Sequence, residues 1–417
     1  MNAMQFAGRA FTILVAVAGV IPLSLWAASP LAGLPSPPGP HVAAIQALGE
    51  NQWLVLGAAR PDPVWGTARG RAYSPKMAFA PDLRGAFFYG EGVHGYIKPD
   101  GRAMDDMWFY DLNAHAWICC YPGTPTNDAQ LTLSPEGFWT NALGEPIPVT
   151  IMHGYDSLTY DTDLRKFVSM HVGSYYTRPK INGLRNPGGY TEASTTHPWF
   201  WDVETGRWER RLVNGTGPTA GYGHCLIYVP SLRKYWYRRD DARVYFFDYA
   251  ANTWTTTTPA GPPPPFGIEA QAVYDPKREV IYLGGGQYPP APDTNSLWRY
   301  DISLGRWVSL RAANSRLQRF TSAQAVVNYD TVNDVLIVFH FGTDTVEVYD
   351  PVTNSWNPEV IPFPPGIHLA YRVFSGFYDP VFNVHVFVRA GDSSSNSEIL
   401  VYRYRRGPPR GTTFLLR

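Results

Sequence analysis

The sequence predicts an all-β fold of repeated four-stranded units arranged as a propeller, and three observations carry that prediction. The first is a fixed ruler: an aromatic–aspartate pair is followed six residues later by tryptophan, five times over. The pairs are Tyr110-Asp111 with Trp117, Trp201-Asp202 with Trp208, Phe247-Asp248 with Trp254, Tyr300-Asp301 with Trp307, and Tyr349-Asp350 with Trp356. The second is a hairpin upstream of each ruler: FAPDLRGAFF, YDTDLRKFV, YVPSLRKYW, YDPKREVIY and YDTVNDVLI, then a sixth, YDPVFNVHV, with no ruler after it. The third is composition: 15% aromatics with 38 Gly and 38 Pro favour strands and turns over helices. The ruler turns LNAH, VETG, YAAN, ISLG and PVTN carry residues suited to tight hairpins. A helical solenoid fails, because Pro, Gly and period-2 alternation break every window.

Residues 1–28 read as a signal peptide: Arg9 gives the positive end, Ala10–Ala28 is apolar, and small residues stand at Ala27, Ala28 and Ser29. The alternative is an uncleaved anchor, since an apolar run near this length can just span a bilayer. The Pro/Gly-rich stretch 29–49 reads as a linker outside the core, and 50–417 as a single β-propeller domain. Six units start near Ser74, Tyr155, Tyr222, Glu269, Ser322 and Arg372. Trp208, Trp254, Trp307 and Trp356 stand 46, 53 and 49 residues apart, a blade's length, but Trp117 and Trp208 stand 91 apart. The excess at Leu131–Ile151 is either a seventh, degenerate blade or an insertion, and an insertion is the preferred reading. The sixth unit stops after three strands at ILVYRYR. NQWLVLG, with Trp53, supplies its fourth, so the ring closes on its own N-terminal strand and leaves no open edge.

A 45% hydrophobic chain can fill a core. Lys plus Arg and Asp plus Glu balance at 35 each, so no overall field favours nucleic acid, and an anionic ligand needs a local basic patch. Of three cysteines, Cys119 and Cys120 are adjacent and rarely pair, which excludes a disulfide scaffold. No CxxC pair suggests a zinc ribbon.

Gly284-Gly285 after VIYL, with the tyrosines and tryptophans of the later strands, resembles the kelch repeat over roughly Trp53 to Arg406. That resemblance implies a kelch-type propeller with a glycine pair ending each second strand, where the backbone is crowded. The six slots hold Tyr89-Gly90, Met170-His171, Arg238-Arg239, Gly284-Gly285, Phe339-His340 and Val388-Arg389. Four blades therefore carry His or Arg in the second position, close to the central channel.

Polar substitutions concentrate in units two and three, whose copies HGYDSLTYDTDLRKFVSMH and AGYGHCLIYVPSLRKYWYRR align when Tyr160 is set on Tyr228. They gather His153, Tyr155, His171, Tyr222, His224, Arg238 and Arg239 at one rim. The following insertion adds Tyr175, Tyr176, Arg178 and Lys180. Long ordered loops on a propeller face build sites, and guanidinium groups with rings suit an acidic sugar. A base, an acid and a carboxylate neutraliser are what β-elimination next to a uronate carboxylate requires. The constellation resembles that of the propeller-fold polysaccharide lyases acting on ulvan. By position the resemblance makes His153 and His171 the histidines, Tyr222 the tyrosine and Arg238 the arginine of the catalytic set. Tyr155, Tyr175, Tyr176, Arg178, Lys180, His224, Arg239 and His340 are the expected substrate-binding residues. Strand alternation puts Arg238 and Arg239 on opposite faces, so one of them points at the groove.

The expected function is a secreted or cell-surface lyase, monomeric, acting on an acidic polysaccharide, probing neither nucleic acid nor, after signal cleavage, membrane. The alternative is a non-catalytic propeller that binds a glycan or protein at its rim. The chemistry requires no cofactor. A structural metal ion on His224, Cys225 and a distant histidine is left open on ligand type, beside the plainer reading of a packed Cys225. His94, His115 and His385 fall in loops, turns or a strand and need no special role.

Overall fold

The computed structural model describes residues 28–127, 129, 131–149, 153–170, 181, 197–210, 212–219, 224–239, 241–265, 268–288, 297–313, 325–341, 343–369, 373–392 and 394–405. The signal peptide therefore falls, but for residue 28, outside the described residues, as do His171, Tyr175, Tyr176, Arg178, Lys180 and Tyr222.

The ruler is a cross-strand pair. Tyr110 faces Trp117, Trp201 faces Trp208, Phe247 faces Trp254, Tyr300 faces Trp307 and Tyr349 faces Trp356, each across the turn between a third and a fourth strand. Ring centroids lie 5.4, 5.1, 5.1 and 5.3 Å apart in the Tyr110, Phe247, Tyr300 and Tyr349 pairs, the tilted geometry that aromatic pairs favour. The intervening aspartate closes its own turn: the carboxylates of Asp111, Asp202, Asp248 and Asp350 accept from the N–H groups of Ala114, Thr205, Ala251 and Val352.

The hairpin between first and second strands is equally regular. Its last turn residue is left-handed in all six blades: Arg84, Arg165, Arg233, Glu279, Asp334 and Asn383, at φ 53–59°. Where an aspartate precedes the turn (Asp161, Asp275, Asp330 and Asp379), it accepts from two turn N–H groups and offsets part of that strain.

Among the described residues these hairpins build six blades, five of four strands and one of five. Blade 1 runs from Ala78–Ala80 to Ala116–Tyr121, blade 2 from Leu158–Asp161 to Arg207–Glu209, and blade 3 from Cys225–Val229 to Thr253–Thr257. Blade 4 runs from Ile268–Asp275 to Arg306–Ser309. Blade 5 runs from Ala325–Asp330 to Ser355–Trp356, with Ile361–Pro362 as its extra strand. Blade 6 consists of Phe374–Asp379, Val384–Arg389, Glu398–Arg403 and, as expected, the N-terminal strand Gln52–Gly57. Trp53 pairs with Tyr402 there and packs its ring among Phe339, Phe363, Phe387 and Tyr402. First strands of successive blades lie side by side around the axis. At the blade 6–blade 1 seam Met77 N–H donates to Gly376 O and Gly376 N–H to Pro75 O, at 3.0 and 2.8 Å. The ring is closed at its inner wall and its outer edge.

Two expectations resolve differently from each other. Within Leu131–Ile151 the described residues form one small hairpin, Thr132–Leu133 with Trp139–Thr140, so the insertion reading holds over a seventh blade. The stretch 29–49, expected to be a linker outside the core, is instead packed onto the propeller. Leu31 is buried between blades 1 and 2, and the helix His41–Ala47 buries Val42 and Ile45. Arg403, 5% exposed, donates to the carbonyls of Ile45, Gln46 and Leu48 at the C-terminal end of that helix. Apolar residues spaced i and i+3 outweigh the Pro/Gly composition. All three cysteines are free thiols, and no described helix is long and apolar enough to cross a membrane.

Candidate functional site

Hairpins occupy one face of the ring, so the other described connections lie on the opposite face; one of them carries His153 and Tyr155, while Arg238 and His340 are the last residues of second strands. Gly90, at the end of the second strand of blade 1, has φ +125°, and an added Cβ would sit 2.4 Å from Gly154 N. This glycine lets the backbone entering blade 2 pass close enough to be fixed. Gly154 N–H donates to Ser74 Oγ at 2.8 Å and Tyr155 N–H to Tyr73 O at 2.8 Å.

His153 is held there at 4% exposure. Its Nδ1 lies 2.8 Å from Glu91 O, and since a carbonyl can only accept, Nδ1 carries the proton and a neutral ring keeps its lone pair on Nε2. The rings of His94, Tyr73 and Tyr155 stand 4.5, 4.8 and 5.6 Å from it. Burial lowers its pKa to about 4, against the opposing pull of the Glu91 carbonyl. Glu91 is itself buried, its carboxylate accepting Gly95 N–H at 2.7 Å with His94 Nδ1 at 3.4 Å. His94, given no role from sequence, is thus part of the His153 cluster.

The other predicted residues have different surroundings. His224 is buried in blade 3, Nδ1 2.6 Å from the Tyr237 hydroxyl, and its carbonyl accepts Ser157 Oγ–H at 2.7 Å. Arg238, 2% exposed, lies opposite Cys225 in the sheet and donates from Nη2 to Pro264 O at 3.3 Å. Arg239 is half-buried beyond the strand end. His340 is buried in blade 5, its Nε2 3.7 Å from a Glu347 carboxylate oxygen. Cys225 is packed among the inner strands, its thiol 3.3 Å from Ala270 O, and no group of three or more metal-ligating residues occurs among the described residues. His153 and Tyr155 are therefore brought together between blades 1 and 2, while His224 and Arg238 are fixed in blade 3 and His340 in blade 5.

Sequence reasoning passed over a second cluster, in the channel. A cavity of ≈ 240 Å³ is lined by residues of all six inner strands, with Lys76 and Asp156 in its wall. Lys76 Nζ lies 3.3 Å from Asp156 Oδ1 and donates to Leu226 O at 2.9 Å, while Asp156 Oδ2 accepts Ala272 N–H at 3.0 Å. One ion pair thus spans four blades. Burial, partly opposed by Lys76, raises the Asp156 carboxyl to about 6. The two aligned copies set Asp156 in the slot of His224, which marks the position but not its pairing with Lys76.

No family model matches the chain, and no curated protein matches it. Among solved structures it is similar to a chain of "Crystal Structure of Mitotic Checkpoint Complex", at 10% sequence identity and TM-score 0.43, over 85% of this chain and 92% of that one.

Proposed function

We propose that the chain is a secreted or cell-surface polysaccharide lyase that cleaves a uronate-containing, sulfated glycan by β-elimination. His153 carries the proposal. Its imidazole is buried, neutral at physiological pH and fixed in one tautomer by Glu91 O, so Nε2 is the basic nitrogen. Such a group takes the proton from the carbon α to the uronate carboxylate. The C–H electrons become the new double bond, the bond from the β carbon to the glycosidic oxygen breaks, and Tyr222 returns a proton to that oxygen. Neutralising the carboxylate as enolate charge develops falls to His171 and, on release from Pro264 O, to Arg238. A pKa of about 4 makes His153 by itself a weak base. A bound carboxylate stabilises its imidazolium and raises that value, so base strength arrives with the substrate.

The test is incubation with a panel of uronate polymers, following ultraviolet absorbance of the conjugated product. His153→Gln and Tyr222→Phe are each expected to lower turnover about 10²- to 10⁴-fold while polymer binding persists in affinity electrophoresis. Unchanged turnover in either variant sinks the assignment. Binding without turnover on every polymer makes the chain a non-catalytic glycan-binding propeller instead.

A further inference from the structure

A second cavity, of ≈ 360 Å³, opens on the same face between blades 6 and 1. Its walls come from three connections: the segment leading from the closing strand into blade 1 (Trp65, Arg69), the blade 1 loop that also carries Glu91 and His94 (Lys98, Asp100, Asp106), and the blade 6 loop bearing Asn396. The volume is that of a small-ligand pocket rather than a packing defect.

Charge in its floor does not balance. Asp106, 1% exposed, receives the guanidinium of Arg71 and, at 3.0 Å, the ammonium of Lys98. Arg71 is 0% exposed, and its Nε and Nη1 have no hydrogen-bond partner among the described residues. Arg69 lies near enough to oppose the Arg71 charge, and among the described residues it donates only to a backbone carbonyl, that of Ser394. Asp100, at the mouth, is 3.8 Å from Lys98. Three cations thus face two carboxylates, one of them solvent-exposed, in a setting where an uncompensated buried charge is unfavourable. Two indoles line the same space. Trp108 is fixed by its Nε1–H on Asp106 at 2.9 Å, and Trp65, 39% exposed, is backed by the Arg102 guanidinium 4.8 Å from its ring.

We infer that this cavity is a binding subsite for an acidic sugar unit, its carboxylate or sulfate taken by Arg69 and Lys98 and its ring lying on Trp65. Charge-assisted bonds fix the anion, and the indole takes the apolar sugar face. The identity of the ligand as a sugar rests on the lyase reading; the anion preference rests on the cavity alone. One loop of blade 1 carries both Lys98 and His94, whose ring stands 4.5 Å from that of His153.

The test is isothermal titration calorimetry of the full chain with a glucuronate oligosaccharide, a sulfated oligosaccharide and a neutral glucan oligosaccharide of equal length. Arg69→Ala and Trp65→Ala, both at accessible positions, are compared with wild type after their melting curves are shown to match. The acidic oligosaccharides are expected to bind and the neutral one not, with affinity falling about tenfold or more in each variant. The tighter of the two acidic ligands identifies the preferred anion. Equal binding of acidic and neutral ligands, no binding of any, or unchanged affinity in both variants overturns the subsite. The two readings fail separately. Absent turnover with acid-selective binding lost in Arg69→Ala removes the lyase and keeps the subsite. Turnover that depends on His153 with binding unmoved by Arg69→Ala does the reverse.

Discussion

Replacing His153 by Gln should change how stability responds to pH, with a size and sign fixed by the environment of the ring. In the unfolded chain the imidazole has its ordinary pKa near 6.5, whereas in the folded protein burial brings it to about 4. Above about 6.5 both states are neutral and the group contributes nothing pH-dependent. As pH falls toward about 4 the unfolded chain binds a proton that the folded one refuses, so stability is lost on acidification. At about 1.4 kcal/mol per pH unit the gap amounts to about 3 kcal/mol, and at 4% exposure solvent screening removes little of it. The groups facing the ring are Glu91, His94, Tyr73 and Tyr155, and none of them is removed by the substitution. His197, whose pKa burial also lowers to about 4, adds a loss of the same sign in wild type and variant alike, so the difference between the two isolates His153. The assay is urea unfolding followed by tryptophan fluorescence at several pH values. Wild-type stability minus that of His153→Gln should be constant above pH 7 and fall by about 3 kcal/mol on going to pH 4. Parallel curves would refute the buried, neutral imidazole and with it the base assigned to the site.

Asp156→Asn should act with the opposite sign. The carboxyl is raised from 3.8 to about 6, so its contribution is fully present below about 4 and lost as pH rises through about 6. The variant should therefore gain about 3 kcal/mol relative to wild type between pH 4 and 7, read in the same urea series. Trp53→Ala empties the aromatic cluster that anchors the closing strand and should cost about 3 kcal/mol, with earlier proteolysis near Gly57. An unchanged melting point would argue against closure by that strand. Gly90→Ala places a methyl 2.4 Å from Gly154 N at φ +125° and should destabilise by about 2 kcal/mol, displacing the backbone next to His153. The check is thermal melting together with turnover on a uronate polymer.

The blades were legible because they are local. An aromatic residue and its tryptophan sit on either side of one turn, the aspartate between them closes that turn, and all of it lies within eight consecutive residues. The closing strand was legible for a different reason: the sixth hairpin had no tryptophan strand after it, and NQWLVLG was the strand left over. Contacts between blades left no such mark. His94 reaches His153, and Lys76 reaches Asp156 and Leu226, only because the ring sets neighbouring connections and inner strands together. The stretch 29–49 was misread since its composition suits a linker, while the feature that folds it, Arg403 on the carbonyl end of the helix His41–Ala47, is remote in sequence. Histidine in loops was underrated for the same reason: burial of a ring is decided by what packs over it.

The most direct test of the proposed activity is the mass of the products released from a purified uronate polymer. Elimination predicts that every cut creates one new unsaturated non-reducing end, on a fragment lighter by one water than its hydrolysis counterpart, formed by wild type and absent with His153→Gln. Cut chains with no unsaturated fragment among them, or unsaturated fragments formed equally by the variant, would contradict the account.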